Sequence, residues 1–330
     1  MKKIKVGIFF GSISPEHQVS LWSAQGIIKN IDRTKFQVQE FWIDKKGIIW
    51  QANNALDSVL KKQFSKLKNA DLNKIPAMID VAFPVLHGKG GEDGTIQGFF
   101  ETLGVTYVGA DVPSSTICLD KGIFNQLMST SGLPKPKFVI LNDITSKNLS
   151  QINRLKYPLF VKPARTGSSV GISKVASNRL LLKAINKAKK FDNKIVIEET
   201  IKNCKEIEIS VLGNSEKNYK VTLPGRVIPH NDFYNYNDKY LDNHASFELP
   251  AKLPLAKIKE IQIIALTAYK IAGCRGLARV DFLLDRNLKV YLNEINTLPG
   301  FTPISLYPKL WEISGIPYKE LITKLIKLAL

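Results

Sequence analysis

Near the C-terminal end, three oxygen-bearing side chains recur at strand spacing. In VYLNEINTLPGFTPIS, residues 290–305, Glu294 and Asn296 lie two apart within a run of β-formers, so both point to one face of a strand. A second strand pattern, GLARVDFLLD, precedes it and is joined to it at Arg286-Asn287, the spacing of an antiparallel hairpin. Pairing Leu284 with Tyr291 sets Asp281 opposite Glu294 and Arg279 opposite Asn296. The other face then carries Val280, Phe282, Leu284, Tyr291 and Ile295, with Asn293 its one polar member, and belongs to a core. Facing carboxylates repel unless a cation joins them. Asp281, Glu294 and Asn296 together suit Mg²⁺, which completes its octahedron with waters and substrate phosphates. The same residues also fit a solvated face on which Arg279 neutralises Asp281, and spacing alone leaves both readings open. Pro299-Gly300 ends the run in a turn.

Signals for phosphate lie upstream. Lys162 ends a strand pattern, and Gly167-Ser168-Ser169-Val170-Gly171 follows, a loop of small residues able to turn N–H groups toward anionic oxygens. A plain glycine-rich hairpin turn has the same composition. The chain has neither GxxxxGK[ST] nor GxGxxG after its first strand, which excludes the P-loop and the dinucleotide fingerprint. Lys121, at a helix start, is a second candidate cation or a surface residue. HGKGGEDGTIQG, 87–98, is another glycine-rich turn after a strand; His87 there fits a core or a ligand. Glu16, in GSISPEH, reads as ordinary helix-start chemistry with Pro15 at the first helical position. It is also a carboxylate at the C-terminal edge of strand one, where ligands of α/β sheets bind.

Positioning these groups requires several layers of structure. A chain of 330 residues exceeds one ordinary core and fits two or three domains. Strand, helix, strand, strand, helix from 4 to 104 describe a parallel α/β unit ending near 120. An α+β unit follows to 204, and a third runs from 205 to 330. Within it, 224–254 is long, aromatic and polar with little periodicity, the mark of a functional or mobile loop. KIKEIQIIALTAYKIAG is an amphipathic helix with Ile258, Ile261, Ala265, Ala268 and Ala272 on one face. No apolar run approaches the ~20 residues of a membrane span. The short apolar start reads as a strand rather than a secretory leader. Cys118, Cys204 and Cys274 are isolated, which argues against a zinc site or disulfide frame. The net charge of +18 comes from scattered lysines without interleaved aromatics, which reads as ordinary surface charge rather than a nucleic-acid face; a nucleotide or anionic substrate would also gain from the positive field.

Taken in order, GSISPEHQVSLWSA, HGKGGEDGTIQGFFETLGVTYVGA, DK at 120–121, VKPARTGSSVGISKV, EIEISVLGN, FYNYNDKYLDN, GLARVDFLLD and NEINTLPGFTPISLYP resemble the D-alanine–D-alanine ligases of the ATP-grasp superfamily over nearly the whole chain. The resemblance implies a three-domain α/β ATP-grasp fold: an N-terminal parallel-sheet domain, 1–120, and two α+β domains, 121–204 and 205–330, enclosing the nucleotide. It implies ATP and two Mg²⁺ (or Mn²⁺) held by Asp281, Glu294 and Asn296. Lys121 and Lys162 would meet the phosphates, the Gly167–Gly171 loop with Ser169 would close over them, and Glu198 and Glu206 would hold adenine and ribose. Glu16, His87 and Ser168 match residues around a first D-alanine; Ser305 and Leu306 match those at a second. Arg279 and the Gly300 N–H match the oxyanion-holding groups. Segment 224–254 resembles an active-site lid, with Lys239 and Tyr240 reaching toward Ser168 and Glu16, and Tyr240 favours a dipeptide over D-alanyl-D-lactate. D-alanine–D-lactate or D-alanine–D-serine ligation, or a non-catalytic nucleotide-binding regulator, are the alternatives. Ser12-Ile13 and Lys89-Gly90 depart from the family pattern without removing a catalytic group. The resemblance further implies a cytoplasmic enzyme of peptidoglycan precursor synthesis, D-alanine and ATP as partners, no nucleic acid or membrane, and a possible homodimer.

Overall fold

Continuous runs of β-branched and aromatic residues such as IKVGIFF suit strands covered on both faces. In the computed structural model, which describes residues 2–143, 146–228 and 246–330 apart from the side chains of Ser146, Lys147 and Leu149, they build three sheets. Strands Ile4–Gly11, Phe36–Ile43 and Val81–Val85 form the parallel centre of the first. Ile49–Ala52 and Lys68–Asn69 extend one edge antiparallel, so the expected parallel sheet is mixed. The added hairpin turns at Asp44-Lys45-Lys46-Gly47. Asp44 accepts hydrogen bonds there from the N–H groups of Lys46 and Ile48, and Gly47 takes the left-handed φ of +83°. That turn chemistry was present in the sequence and outside the reading of it.

The second sheet is antiparallel, in the order Phe138–Leu141, Ile195–Glu199, Leu159–Pro163, Ser173–Val175, and helix Leu181–Lys189 covers it with Ala184, Ile185 and Ala188. The third is also antiparallel. Lys205–Leu212 pairs with Leu277–Leu284, which pairs with Val290–Asn296, and helix Leu255–Ile271 packs on the sheet through Ile261, Ala265, Ala268 and Tyr269. Ile258, expected on that face, is only half-buried. The segment expected to be a loop over 224–254 instead begins and ends in strands. Gly225–Ile228 and Ser246–Glu248 pair with each other and extend the third sheet, because Val227 and Phe247 find an apolar cluster with Leu306 and Leu310. Residues 229–245, with Lys239 and Tyr240, lie outside the described residues.

The cores do not follow the chain in sequence blocks. Phe124 and Met128 of helix Lys121–Thr130 join the core of the third sheet, with Ile207 and Val280. Trp311 of helix Leu306–Ile313 and Leu321 and Leu325 of the final helix, Tyr318–Ala329, pack with Val6 and Ile8 of the first sheet. The walls of the central cleft are thereby locked by elements that cross between the sheets.

The 277–296 hairpin has the expected register at its chemical end, Arg279 opposite Asn296 and Asp281 opposite Glu294. A β-bulge between Asp281 and Phe282 shifts the rest, so Leu284 faces Val290 rather than Tyr291. The shift moves Val290 and Leu292 into the core and takes Tyr291 and Asn293 out of it, since a one-residue slip exchanges the faces of a strand. Asn293 no longer interrupts the core, and it joins Glu294 and Asn296 at the cleft.

Candidate active site

A cleft of about 870 Å³ lies where the three sheets meet. All sixteen described candidate residues border it: Glu16, His87, Lys121, Lys162, Gly167, Ser168, Ser169, Glu198, Glu206, Arg279, Asp281, Glu294, Asn296, Gly300, Ser305 and Leu306. Lys239 and Tyr240 fall outside the described residues.

Helix His17–Asn30 starts two residues after Pro15, so Pro15 precedes the cap rather than opening the helix. Glu16 occupies the N-cap position without capping through its side chain. Its carboxylate reaches across the cleft instead and accepts a hydrogen bond from Ser168 Oγ. Gly88 makes room for it: a Cβ there would come within 2.4 Å of Glu16 Oε2. Ser168 and Ser169 take left-handed φ values of 49° and 60°, which glycine tolerates and serine pays for in strain of about 1–2 kcal/mol each. That backbone turns the 167–171 loop over the cleft.

The wall formed by the second sheet is rich in lysine. Lys162 donates to Glu198 at 2.5 Å, and Asn125 donates to the other carboxylate oxygen at 2.6 Å. Burial pushes the Glu198 carboxyl up, but the charges of Lys162 and Lys135 and hydrogen bonds from Lys162 and Asn125 win, and its pKa falls to about 2. Lys121 Nζ donates to the Thr166 carbonyl at 2.7 Å, and Asp120 caps the helix that starts at Lys121 by accepting from the N–H groups of Gly122 and Ile123. Burial lowers the Lys121 pKa against the opposing pull of Glu294.

Sequence reasoning missed Lys135. In GLPKPKF it stands between prolines with no periodic or motif signal. Folded, its ammonium lies over the Phe124 ring and donates to the carbonyl of the bulge residue Asn293 at 2.7 Å. Burial lowers its pKa to about 7, with Glu198 opposing. Glu208 was missed as well. Its place is legible in hindsight, since it alternates with Glu206 and Ser210 along Lys205–Leu212 and pairs in register with Asp281.

The wall formed by the third sheet is acidic. Arg279 donates to both oxygens of Asp281 at 2.7 Å and lies 3.0 Å from Glu208. Although burial opposes its charge, Asp281 and Glu208 hold the guanidinium well above its ordinary pKa. One arginine thus meets Asp281 and Glu208, with Glu294 opposite Asp281 on the next strand. Among the described residues no three His, Cys, Asp or Glu side chains converge as a ready-made metal cage. The donor set is nevertheless carboxylate and amide oxygen on neighbouring strands, the chemistry of a Mg²⁺ site completed by substrate phosphates rather than closed by protein alone. The residues therefore fit the expected metal.

Past Asn296 the chain turns over the cleft. Asn296 Oδ1 accepts from the Leu298 N–H at 3.0 Å, and Ser305 Oγ accepts from the Thr302 N–H at 3.0 Å. A Cβ on Gly300 would meet Ser305 Oγ at 2.6 Å, so only glycine fits between the two. Ser305 occupies the N-cap position of helix Leu306–Ile313 without capping it through its side chain, which leaves the helix's first N–H groups without that partner. His87 is buried, with both ring nitrogens engaged: Nδ1 lies 3.1 Å from the Leu298 carbonyl and Nε2 lies 3.0 Å from Ser23 Oγ.

The comparisons with known proteins agree with this geometry. A family model described as the D-ala D-ala ligase N-terminus matches residues 5–110, and one described as the D-ala D-ala ligase C-terminus matches 127–327. The chain is similar to the D-alanine–D-alanine ligase of Caldicellulosiruptor bescii, 45% identical over 100% of this chain and 96% of that protein. Among solved structures it is similar to the VanG D-Ala:D-Ser ligase from Enterococcus faecalis, with a TM-score of 0.89 and 34% identity over 100% of both chains. It is also similar to the D-alanine–D-alanine ligase from Coxiella burnetii, with a TM-score of 0.87 and 33% identity, covering 100% of this chain and 94% of that one. The chain belongs to the D-alanine–D-alanine ligase family.

Proposed function

We propose that the protein joins two D-alanine molecules with ATP, forming D-alanyl-D-alanine, ADP and phosphate, a step that supplies peptidoglycan precursors. The observation that carries the reading is the convergence of a lysine-lined wall, an acidic wall and a Gly300 turn on one cleft. A carboxylate is a poor acyl donor, so the carboxylate of one D-alanine first attacks the γ-phosphate of ATP. The acyl phosphate that results is then attacked by the amine of the second D-alanine, and phosphate leaves.

Each group has a part in this. Lys121, Lys162 and the N–H groups of the Gly167–Gly171 loop, Ser169 among them, hold the phosphates. Glu198 and Glu206 orient adenine and ribose. Asp281, Glu294 and Asn296 would hold two Mg²⁺ (or Mn²⁺), which offset phosphate charge when bound. Glu16 and Ser168, already hydrogen-bonded, orient the first D-alanine with His87 behind them. Ser305 and the first N–H groups of the helix at Leu306 receive the carboxylate of the second, as helix N-termini do for anions. Arg279 and the Gly300 N–H stabilise the oxyanion of the tetrahedral intermediate. Lys239 and Tyr240 are proposed for the lid that excludes water from the acyl phosphate. Among the described residues no helix is long and apolar enough to cross a membrane; a cytoplasmic location is proposed from the need for ATP. We propose domains at 1–120, 121–204 and 205–330, joined by the cores that cross between them, and a homodimer.

The likeness to a D-Ala:D-Ser ligase makes D-serine the acceptor to test beside D-alanine. Purified protein with ATP, Mg²⁺ and D-alanine should release phosphate and yield the D-alanine dipeptide by mass, with L-alanine inert. Preference for D-serine or D-lactate as acceptor would reassign the second subsite. ATP binding without turnover on any D-amino acid would refute the ligase reading.

A further inference from the structure

The turn that carries Gly300 is tied to His87 and Ser23 of the first domain and to Tyr318 of the final helix. Three backbone atoms flanking Gly300 are tied. The Leu298 carbonyl accepts from His87, the Phe301 N–H donates to Ser23 Oγ at 3.1 Å, and the Phe301 carbonyl accepts from Tyr318 Oη at 2.7 Å. For a neutral imidazole these bonds fix one arrangement of protons. A carbonyl only accepts, so His87 Nδ1 carries the ring proton and Nε2 is the acceptor. Ser23 Oγ receives the Phe301 N–H, which leaves its own proton to donate to His87 Nε2 across 3.0 Å. One hydroxyl thereby closes a relay that runs from Leu298 through His87 to Phe301, on both sides of Gly300.

The base of this relay is rigid. Ser23 is 0% exposed within helix His17–Asn30. One turn earlier, Ser20 Oγ accepts from the Gly11 N–H and donates to the Val85 carbonyl, fastening the helix to two strands of the first sheet. One turn later comes Gly26, where a Cβ would lie 2.4 Å from the Phe301 carbonyl oxygen and 2.8 Å from Tyr318 Oη. The helix therefore presents a serine to bond the turn and a glycine to let it approach.

We propose that Ser23 is a positioning residue for the ligation: through Phe301 and His87 it sets where the Gly300 N–H points. The proposal rests on the reading of that N–H as an oxyanion donor. It also gives His87 a task its position alone does not suggest, since both ring nitrogens serve the turn. Removing an oxyanion donor outright costs about 10²–10³ in kcat, so displacing one should cost about tenfold.

The test compares wild type, Ser23→Ala and Gly26→Ala for dipeptide formation, KM for ATP and thermal midpoint. Ser23→Ala should lower kcat about tenfold while KM for ATP stays within about twofold, because the nucleotide walls do not touch the relay. Gly26→Ala keeps the hydroxyl but pushes on Phe301, and should show the same kcat-selective loss. A Ser23→Ala enzyme with kcat within about twofold of wild type overturns the proposal. So does a loss in which kcat and the thermal midpoint fall while KM for ATP rises, the signature of a merely structural serine. A kcat-selective loss in Gly26→Ala alone would assign the turn to packing and also overturn it. Failure of wild type to make any dipeptide would refute the ligase reading, which the control separates from failure of the relay.

Discussion

Two walls face each other across the cleft, and they handle charge in opposite ways. On the side of the second sheet, Lys162 binds one carboxylate, Glu198, with Lys121 and Lys135 acting on it as well, although Lys135 itself reaches the Asn293 carbonyl of the third sheet. On the side of the third, one guanidinium, Arg279, faces Asp281 and Glu208, with Glu294 across the hairpin. The first wall holds surplus positive charge and the second surplus negative charge. An isolated charge of either sign is costly away from water. In the proposed function each wall is completed from outside, the first by phosphate oxygens and the second by a divalent cation. On that proposal a nucleotide with its metal would complement both walls, which would give a basic protein a use for the acidic strand pair at its centre.

The largest expected effect breaks the acidic wall. Glu294→Gln keeps the shape and removes one charge, and Mg²⁺-dependent phosphate release should fall by a factor of about 10² or more, in line with a loss of several kcal/mol of charge stabilisation. Unchanged turnover at saturating Mg²⁺ would remove Glu294 from the metal site.

A smaller effect is expected from the lysine wall. Glu198 has a folded pKa of about 2 against an ordinary 4.5, so its contribution is fully present above pH 4.5 and is lost as pH falls toward 2. That shift corresponds to something on the order of 3 kcal/mol. Lys162→Met removes the partner, so burial dominates and the carboxyl titrates at higher pH. Acid unfolding followed by circular dichroism should begin at higher pH in the variant, and KM for ATP should rise. Superimposable acid transitions would show that Lys162 does not hold Glu198 ionised.

The subtlest effect concerns Lys135. Its folded pKa of about 7 lies below the ordinary 10.5, so over that window the unfolded chain holds a proton the folded chain lacks. Stability of the ligand-free protein should therefore rise with pH from about 7 to about 10, and Lys135→Met should flatten that rise. Urea midpoints at pH 7 and pH 9 measure it, and parallel behaviour of variant and wild type would remove Lys135 from the charge balance of the wall.

How much of this was legible before folding depended on the distance over which each signal acts. Period-two spacing put Glu294 and Asn296 on one face of their strand, because strand geometry is local, but the turn pairs Leu284 with Val290, and only the bulge restores Asp281 opposite Glu294. The resemblance of ordered motifs supplied the rest of the cleft, and all sixteen described residues border it. The bulge beyond Asp281 was not legible: every residue in the run suits a strand, and the shift depends on burying Leu292 in place of Tyr291. Gly225–Ile228 and Ser246–Glu248 read as loop because each is short, and their partners lie on one another and on Lys205–Leu212.

The sequence by itself determined the inventory and its local order: which residues bear charge, which alternate, which glycines open a turn. Only the tertiary structure decided the partners. Lys135 found the Asn293 carbonyl 158 positions away, and the Phe301 N–H found Ser23 across 278. The physical reason is that burial and charge pairing depend on what arrives from the other side of a core. That is a property of the closed chain, which no window along it contains.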